Sequence, residues 1–308
     1  MRKTFHTEYL KSKAENHIFN TLNLTFMMLI MFCTMYPFWN TIAISFNAAT
    51  DTTRGGITFW PRVFTLQNYR AVFTGGTIFN AFFISVARTI IQTASGVFLT
   101  SMLAYALSRR DFVFRKPFTL VLILSMYINA GLIPNYFLIR SLGMVNTFWV
   151  YIVPGIVSAF NFIVIRTYIS KLPESIIESA RLDGCGDFII FLRIIFPLCL
   201  PVLATIALFI AVGAWNSWFD TMIYASGKAN LHTLQYKLME YLQSSMSQSK
   251  SAASIGAMGM AENLTSSMVT PVSIRAAVTV IAALPILFIY PFLQRYFITG
   301  ISVGSIKE

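Results

Sequence analysis

The chain has 308 residues, 56% of them hydrophobic and only 11% charged, and a mean hydropathy of +0.65. Soluble domains carry about 25% charged residues, so the composition excludes an ordinary soluble domain and describes an all-α polytopic membrane protein. The net charge of +11 is scattered along the chain and not gathered on one face. That argues against a nucleic-acid partner and for basic loops beside anionic membrane lipids.

The first 17 residues, MRKTFHTEYLKSKAENH, are basic and polar for longer than a signal-peptide n-region, and the apolar run that follows has no convincing small-residue cleavage site. They predict an N-terminal cytoplasmic segment, 1–17, ahead of a retained first span. A helix crossing the hydrocarbon core needs about 20 mostly apolar residues. Stretches 18–46, 78–107, 118–140, 147–169, 197–219 and 273–297 meet that need and predict six transmembrane helices within 18–297, followed by a short tail, 298–308. The third stretch carries Asn129, Gly131 and Pro134, which predicts a weakened or kinked middle whose freed backbone groups face protein or a cavity.

Orientation follows from the basic residues. Arg109, Arg110, Arg115 and Lys116 crowd the connection between the second and third spans, and Lys171, Arg181 and Arg193 fall in the connection after the fourth. These segments and both termini are expected on the cytoplasmic side. Two segments are then external. Residues 47–77 combine Gly and Pro with amphipathic aromatic patches. Residues 220–272 carry Leu234, Leu238 and Leu242 at i, i+4 and i+8, the pattern of an amphipathic helix, and then a Ser/Ala/Met-rich stretch expected to be more mobile.

Cysteines Cys33, Cys185 and Cys199 and histidines His6, His17 and His232 are dispersed, so neither a disulfide framework nor a metal site is expected. No G-x-x-x-x-G-K-[ST] phosphate loop occurs, so the chain is not expected to bind ATP in the P-loop manner. No nucleophile–His–carboxylate pattern stands out either, and no acidic residue lies mid-span as an ion-coupled carrier usually requires.

The segment 173–196 interrupts this apolar pattern with a charged helix, a glycine hinge and a second helix. Pro173 suits a first helical turn. Glu174, Glu178 and Arg181 fall on one charged stripe, and Ile176, Ile177 and Ala180 supply the apolar side. Gly184 and Gly186 are expected to end the helix in the left-handed conformation, and Asp187 to N-cap the next. Phe188, Phe191, Leu192 and Ile195 then repeat at helical spacing for packing against the bundle, before Pro197 opens the fifth span.

Glu178, Ala180, Gly184, Ile194 and Pro197 match the spacing of the EAA loop of ABC importer permeases, with Ser179 and Phe196 as departures. The chain resembles that family along nearly its whole length. FTLQNYRAVF is similar to the segment before the second span in sugar-importer permeases, and WNSWFDTMIY and PFLQRYFITGISVGSIKE resemble the oligosaccharide subgroup, close to the maltose-type second permease. The resemblance implies a type I importer permease fold with a cytoplasmic coupling-helix loop, seated in the bacterial cell membrane. It also implies a heterodimer with a second permease, two ATPase subunits that bind ATP and magnesium in place of this chain, and an external sugar-binding protein. By analogy Glu174, Glu178, Ala180, Arg181, Asp183 and Gly184 form the ATPase-coupling set, with Glu178 as the ionic contact and Gly184 as the bend.

Polar and aromatic groups within spans are candidates for the sugar path, with helix packing as the alternative use of each. They are Tyr127, Asn129, Tyr136 and Asn161, and a cluster of Trp215, Asn216, Trp218 and Asp220 near the outer end of the fifth span. Arg88, inside the second span, is expected to meet an inter-helix or inter-subunit partner, and Arg166 to reach the headgroups. Import of amino acids or another small solute, and a non-transport sensor or scaffold role beside an ATPase, stay open at this point.

Overall fold

The computed structural model describes residues 2–74, 76–244 and 270–305. The chain divides into two compact units, one of Met1–Val72 with Ser247–Val280 and one of Phe73–Met246 with Ile281–Glu308. The fold is helical. Among the described residues the only extended pairing is an isolated antiparallel bridge between Asn47 and Phe64.

In the first unit, helix α1 (Arg2–Ser45) runs through the polar N-terminal segment into the first apolar stretch without a break. Its part Ile18–Ser45, 28 residues long, exceeds the length needed for a core of about 30 Å at ~1.5 Å per residue. Leu22, Phe26 and Leu29 stand exposed on it, as side chains directed at lipid do. The following segment, expected as an external loop, is a knot tied by two buried asparagines. Asn47 accepts from the Val63 N–H at 2.9 Å and donates to Asp51 and Thr52 at 3.0 Å. Asn68 donates to the Ser45 and Asn47 carbonyls, both at 2.9 Å. It sits on helix α2 (Gln67–Thr74).

The second unit is built on α3 (Thr77–Ser108), the longest unbroken helix there. Helices α4 (Arg115–Tyr127), α5 (Leu132–Ser141), α6 (Ala159–Ile169) and α9 (Leu200–Asn216) accompany it, and between α6 and α9 lie α7 (Glu174–Leu182) and α8 (Asp187–Leu198). Helix α10 covers 234–244, and α11 (Pro271–Ser305) contributes to both units. Gly96 lets α3 approach α9 closely, since a Cβ there would lie 3.1 Å from Ile210 Cδ1.

Several expected spans are not single helices. Three described helices are long and apolar enough to cross unbroken: Ile18–Ser45, Thr77–Ser108 and Pro271–Phe288. The third expected span, 118–140, is two helices, α4 and α5, of 13 and 10 residues. Neither alone spans about 30 Å. They part where Asn129 Oδ1 accepts the Gly131 N–H at 2.9 Å and Gly131 takes φ +86°, a conformation that disfavours any residue with a Cβ. The fourth, 147–169, begins as 3-10 turns at Phe148–Tyr151 and Val153–Gly155 and bends 48° into α6. Pro154 sits in the second of these turns, where it cannot donate to a helical ladder.

The fifth expected span, 197–219, starts only at Leu200, after an 82° bend from α8. Pro197 and Pro201 flank the bend at Cys199, and each removes a backbone donor from its ladder. A π-helical turn at Phe191–Ile195 precedes it. The beginning of the expected external loop 220–272 is also not loose: Thr221, Ala225, His232, Thr233 and Leu234 are buried in the second unit. The amphipathic helix appears as α10, with Leu234 inward. The Ser/Ala/Met-rich stretch lies outside the described residues.

Because Asn47 and Asn68 saturate buried backbone groups, each truncation leaves polar atoms without partners, at about 1–3 kcal/mol. Asn47→Ala and Asn68→Ala are each expected to lower the thermal midpoint of the detergent-solubilised protein, whereas Thr53→Ala, on the exposed rim of the same knot, leaves it unchanged. Equal midpoints for all three would show that the knot contributes nothing.

Candidate functional site

Helix α7 is amphipathic, as its sequence predicts. Ile177 and Ala180 are buried, and Glu174, Glu178, Arg181 and Asp183 face outward. Its C-terminus is a Schellman motif. The Cys185 N–H donates to the Ala180 carbonyl and the Gly184 N–H to the Arg181 carbonyl, both at 3.0 Å. Gly184 holds φ +80°, so here the expected glycine hinge is physical. Gly186 does not share that role: its φ is −72° and it occupies the N-cap position of α8.

Asp187 differs from its expected part. It makes no side-chain cap to α8, because its carboxylate accepts from Arg181 Nη2 at 2.9 Å. The same nitrogen donates to Asp111 Oδ2 at 2.9 Å, and Arg109 Nε lies 3.4 Å from Asp111 Oδ1. Arg181 thus clasps three pieces of chain: the last turn of α7, the start of α8 and the connection between α3 and α4. Its hydrogen bond, and then one from backbone, holds the Asp111 carboxyl below the usual carboxylate range, and both aspartates hold the guanidinium above its already high value. Glu174 lies 3.6 Å from Arg110. The carboxylates of Glu178 and Asp183 form no ion pair or side-chain hydrogen bond among the described residues, and neighbouring Leu182 is 89% exposed. An amphipathic helix with unanswered acids and a bare leucine is an available docking surface.

On α8 the buried face is Ile190, Phe191 and Ile195, whereas Phe188 and Leu192 are exposed. The expected face thus fails at two of its four positions: Phe188, which precedes the π turn, and Leu192 within it. Ile177, Ala180, Ile190, Phe191 and Ile195 belong to one continuous core with Tyr105, Leu107, Phe162, Ile165, Leu203 and Ile206 of the bundle. The elbow is rooted in the spans.

A second polar centre lies within the bundle. Arg88 of α3 is buried to 2% exposure and is ion-paired to Asp220. It also donates to the Ser217 carbonyl at 3.3 Å, and its guanidinium lies 4.7 Å from the centroid of the Tyr151 ring. The Tyr151 hydroxyl donates to the Leu231 carbonyl at 2.7 Å and pairs with the Thr221 hydroxyl at 3.1 Å, Thr221 pairs with Thr233 at 3.0 Å, and Ser85 Oγ accepts the Leu234 N–H at 2.8 Å. This network pins residues 217–234 to α3.

The remaining candidates separate. Trp215 is buried, and its indole donates to the Ala282 carbonyl at 3.0 Å. Asn161 is buried on α6. Asn216 accepts from Gln235 at 3.4 Å, and Trp218 packs edge-on to Phe219. Tyr136 stacks on Tyr224 with centroids 6.1 Å apart, while Tyr127 and Asn129 are exposed at the α4–α5 break. Tyr151, Thr221, Thr233 and Ser85 carry no motif, and the one signal near them in the sequence is Arg88, a lone mid-span arginine that needs an inter-helix or inter-subunit partner.

An apolar helical bundle with a charged elbow packed into its core has the form of a transport permease. Residues 96–303 match the family of binding-protein-dependent transport system inner membrane components, and the chain belongs to that family. It is a multi-pass transporter subunit. It is 34% identical over 294 residues, covering 95% of this chain and 99% of the relative, to the polygalacturonan/rhamnogalacturonan transport system permease protein YtcP of Bacillus subtilis. It is 34% identical over 290 residues to Protein LplC of the same organism, covering 94% and 95% of the two chains. The arabinooligosaccharides transport system permease protein AraQ of Bacillus subtilis is 30% identical over 295 residues, with 93% and 95% covered. The fold matches a chain of a bacterial ABC transporter involved in the import of the acidic polysaccharide alginate, with a TM-score of 0.80 at 24% identity, covering 92% of this chain and 98% of that one.

Removing one partner of a buried ion pair costs about 3–5 kcal/mol, and replacing both with apolar groups costs far less. Asp220→Ala is therefore expected to destabilise the protein more than the double change Arg88→Met with Asp220→Leu, as read from thermal midpoints. Additive losses would mean the two residues act independently. The Arg181 clasp is expected to persist through neutral pH and loosen only under acid. The folded Asp111 value is depressed, so its contribution is present above the ordinary carboxylate range and lost as pH falls through the lower folded value. Hydrogen exchange of the elbow amides against pH reads this directly, and loosening near neutrality would contradict it.

Proposed function

We propose that this chain is one permease of an ATP-driven, binding-protein-dependent importer of oligosaccharides in the bacterial cell membrane. It pairs with a second, related permease, two ATPase subunits that carry the ATP and magnesium sites, and an external sugar-binding protein. Both termini and the elbow face the cytoplasm, in keeping with the arginines at 109–115 and on α7. The observation that carries the reading is the rooted elbow, an exposed acidic helix whose apolar side is continuous with the core of the spans. The saccharide class is supported by relatives whose names specify polygalacturonan or rhamnogalacturonan and arabinooligosaccharides.

In the proposed cycle the ATPase pair closes on ATP and moves α7. Glu174, Glu178 and Asp183 supply ionic contacts, Ala180 roots the helix, and Gly184 fixes its exit. Arg181 acts as a positioning residue through its clasp. Movement of α8 then rocks α9 and α3 about the 82° bend, and the spans alternate between outward and inward access. Tyr127, Asn129 and Tyr136 at the broken third span are the proposed sugar contacts, with aromatic faces for apolar ring faces and an amide for hydroxyls. Asn216 and Trp218, at and just beyond the C-terminal end of α9, are further proposed path residues. Trp215, Asn161 and Asp220, with Trp215 bonded to the Ala282 carbonyl and Asp220 paired to Arg88, serve as packing and pinning groups.

The test is the reconstituted complex carrying Glu178→Ala with Gly184→Pro. Proline cannot adopt the positive φ that residue 184 holds, so the double variant is expected to lose the ATPase subunit, or to lose substrate-stimulated hydrolysis and uptake, with its spans still folded. Unchanged association and hydrolysis would reduce the elbow to a connector, the outcome expected of a scaffold. In the same vesicles, uptake of amino acids but not of oligosaccharides would move the chain to the small-solute class.

A further inference from the structure

Beside the elbow lies a cleft of about 390 Å³, which the coupling reading touches only through Glu174. Arg109, Arg110, Arg115, Arg166, Ser170 and Glu174 line it. Four guanidinium groups face one carboxylate. Glu174 answers Arg110 at 3.6 Å, and Asp111 answers Arg109 from outside the cleft at 3.4 Å. Arg115 and Arg166 are half-buried and form no ion pair among the described residues.

The local electrostatics deepen this imbalance. Arg115 and Lys116 occupy the first turn of α4, which has no acidic residue there and no side-chain cap. A helix N-terminus carries partial positive charge, so cations in that turn are unfavourable by themselves. An arrangement that gathers uncompensated arginines at a positive helix end is stabilised by an anion. The position tells which anion. The cleft is formed where α3 ends at Ser108, α4 begins at Arg115 and α6 ends in the turn holding Arg166 and Ser170. Three apolar helices terminate together there, at the boundary between hydrocarbon and water, and Ile169, Leu172 and Ile177 give the cleft an apolar side.

We propose that this cleft binds the phosphate of an anionic phospholipid headgroup from the leaflet on the elbow side, with Arg115 and Arg166 as its direct ligands and the Ser170 hydroxyl as a further donor. Guanidinium forks suit phosphate oxygens, and basic pockets between membrane helices take anionic headgroups. The bound headgroup lies against Glu174 in the first turn of α7, so the lipid sets the ion-pair balance at the entrance of the coupling helix. This inference rests on the membrane permease fold and not on the choice of sugar.

The test uses the complete complex, delipidated in detergent and exchanged into nanodiscs of phosphatidylcholine with or without phosphatidylglycerol. Retained lipid is counted by native mass spectrometry. Wild-type complex is expected to keep phosphatidylglycerol, and Arg115→Gln with Arg166→Gln to weaken retention roughly 25-fold, at about fivefold for each arginine. Arg115→Lys with Arg166→Lys keeps the charge and is expected to hold the lipid within a few-fold, a control against misfolding. Arg193→Gln, an exposed arginine on α8 outside the cleft, is expected to behave as wild type. Equal retention by wild type and the glutamine double variant overturns the proposal. Displacement of the lipid by excess inorganic phosphate assigns the cleft to a soluble anion, and loss of the ATPase subunit from the glutamine variant in lipid-free detergent assigns it to that partner's acidic groups; either overturns the lipid assignment.

Discussion

Everything this chain does as a transporter depends on the continuity of one apolar core. Ile177 and Ala180 of the exposed elbow helix lie in the same buried cluster as Phe191 and Ile195 of α8, Tyr105 of α3, Phe162 of α6 and Ile206 of α9. Protein interiors are close-packed and resist compression, so a displacement imposed on α7 is passed to the spans and not absorbed between them. A charged helix tethered by a flexible loop would not behave in this way. The Schellman end at Gly184 and the Arg181 clasp serve that continuity, since they remove the two nearest places where the chain could bend instead of transmit.

The second half of the bundle meets a different constraint. A guanidinium buried to 2% exposure in an apolar helix requires a countercharge, and that requirement draws Asp220 and the residues after it against α3. Hydrogen bonds at Tyr151, into Ser85 from the Leu234 N–H, and between Thr221 and Thr233 complete the attachment. The segment that follows α9 is thereby part of the scaffold. Through Arg88 and Ser85 this segment is tied to α3, which packs along α9, so the attachment joins the elbow end of the bundle to its opposite end.

The parts of this design that are local in sequence were legible before the structure. The stripe of Glu174, Glu178 and Arg181, the buried Ile177 and Ala180, the left-handed Gly184 and the weak third span at Asn129–Gly131 all follow from helical period, capping chemistry and breaker residues. What failed was decided at long range or by competition. Asp187 was expected to cap its own helix, but its carboxylate accepts the charge-assisted bond from Arg181 instead, in a clasp that also holds Asp111, 70 positions from that arginine. Phe188 and Leu192 were expected inside but are exposed, and nothing local in the sequence marks the π turn at Phe191–Ile195 that interrupts this helix. The attachment of residues 217–234 to α3 depends on a pair 132 positions apart, and no local pattern encodes it.

The two arginine systems at the elbow end differ in a way that clarifies both. Arg181 has two carboxylates and is satisfied within the chain. Arg115 and Arg166 have none, and their cleft touches the first turn of the same helix through Glu174. One end of α7 is therefore held internally, and the other borders the cleft proposed to take a headgroup. In that proposal the occupant acts on the first turn of α7 through Glu174 alone and leaves the contacts at Gly184, which end the helix, unchanged.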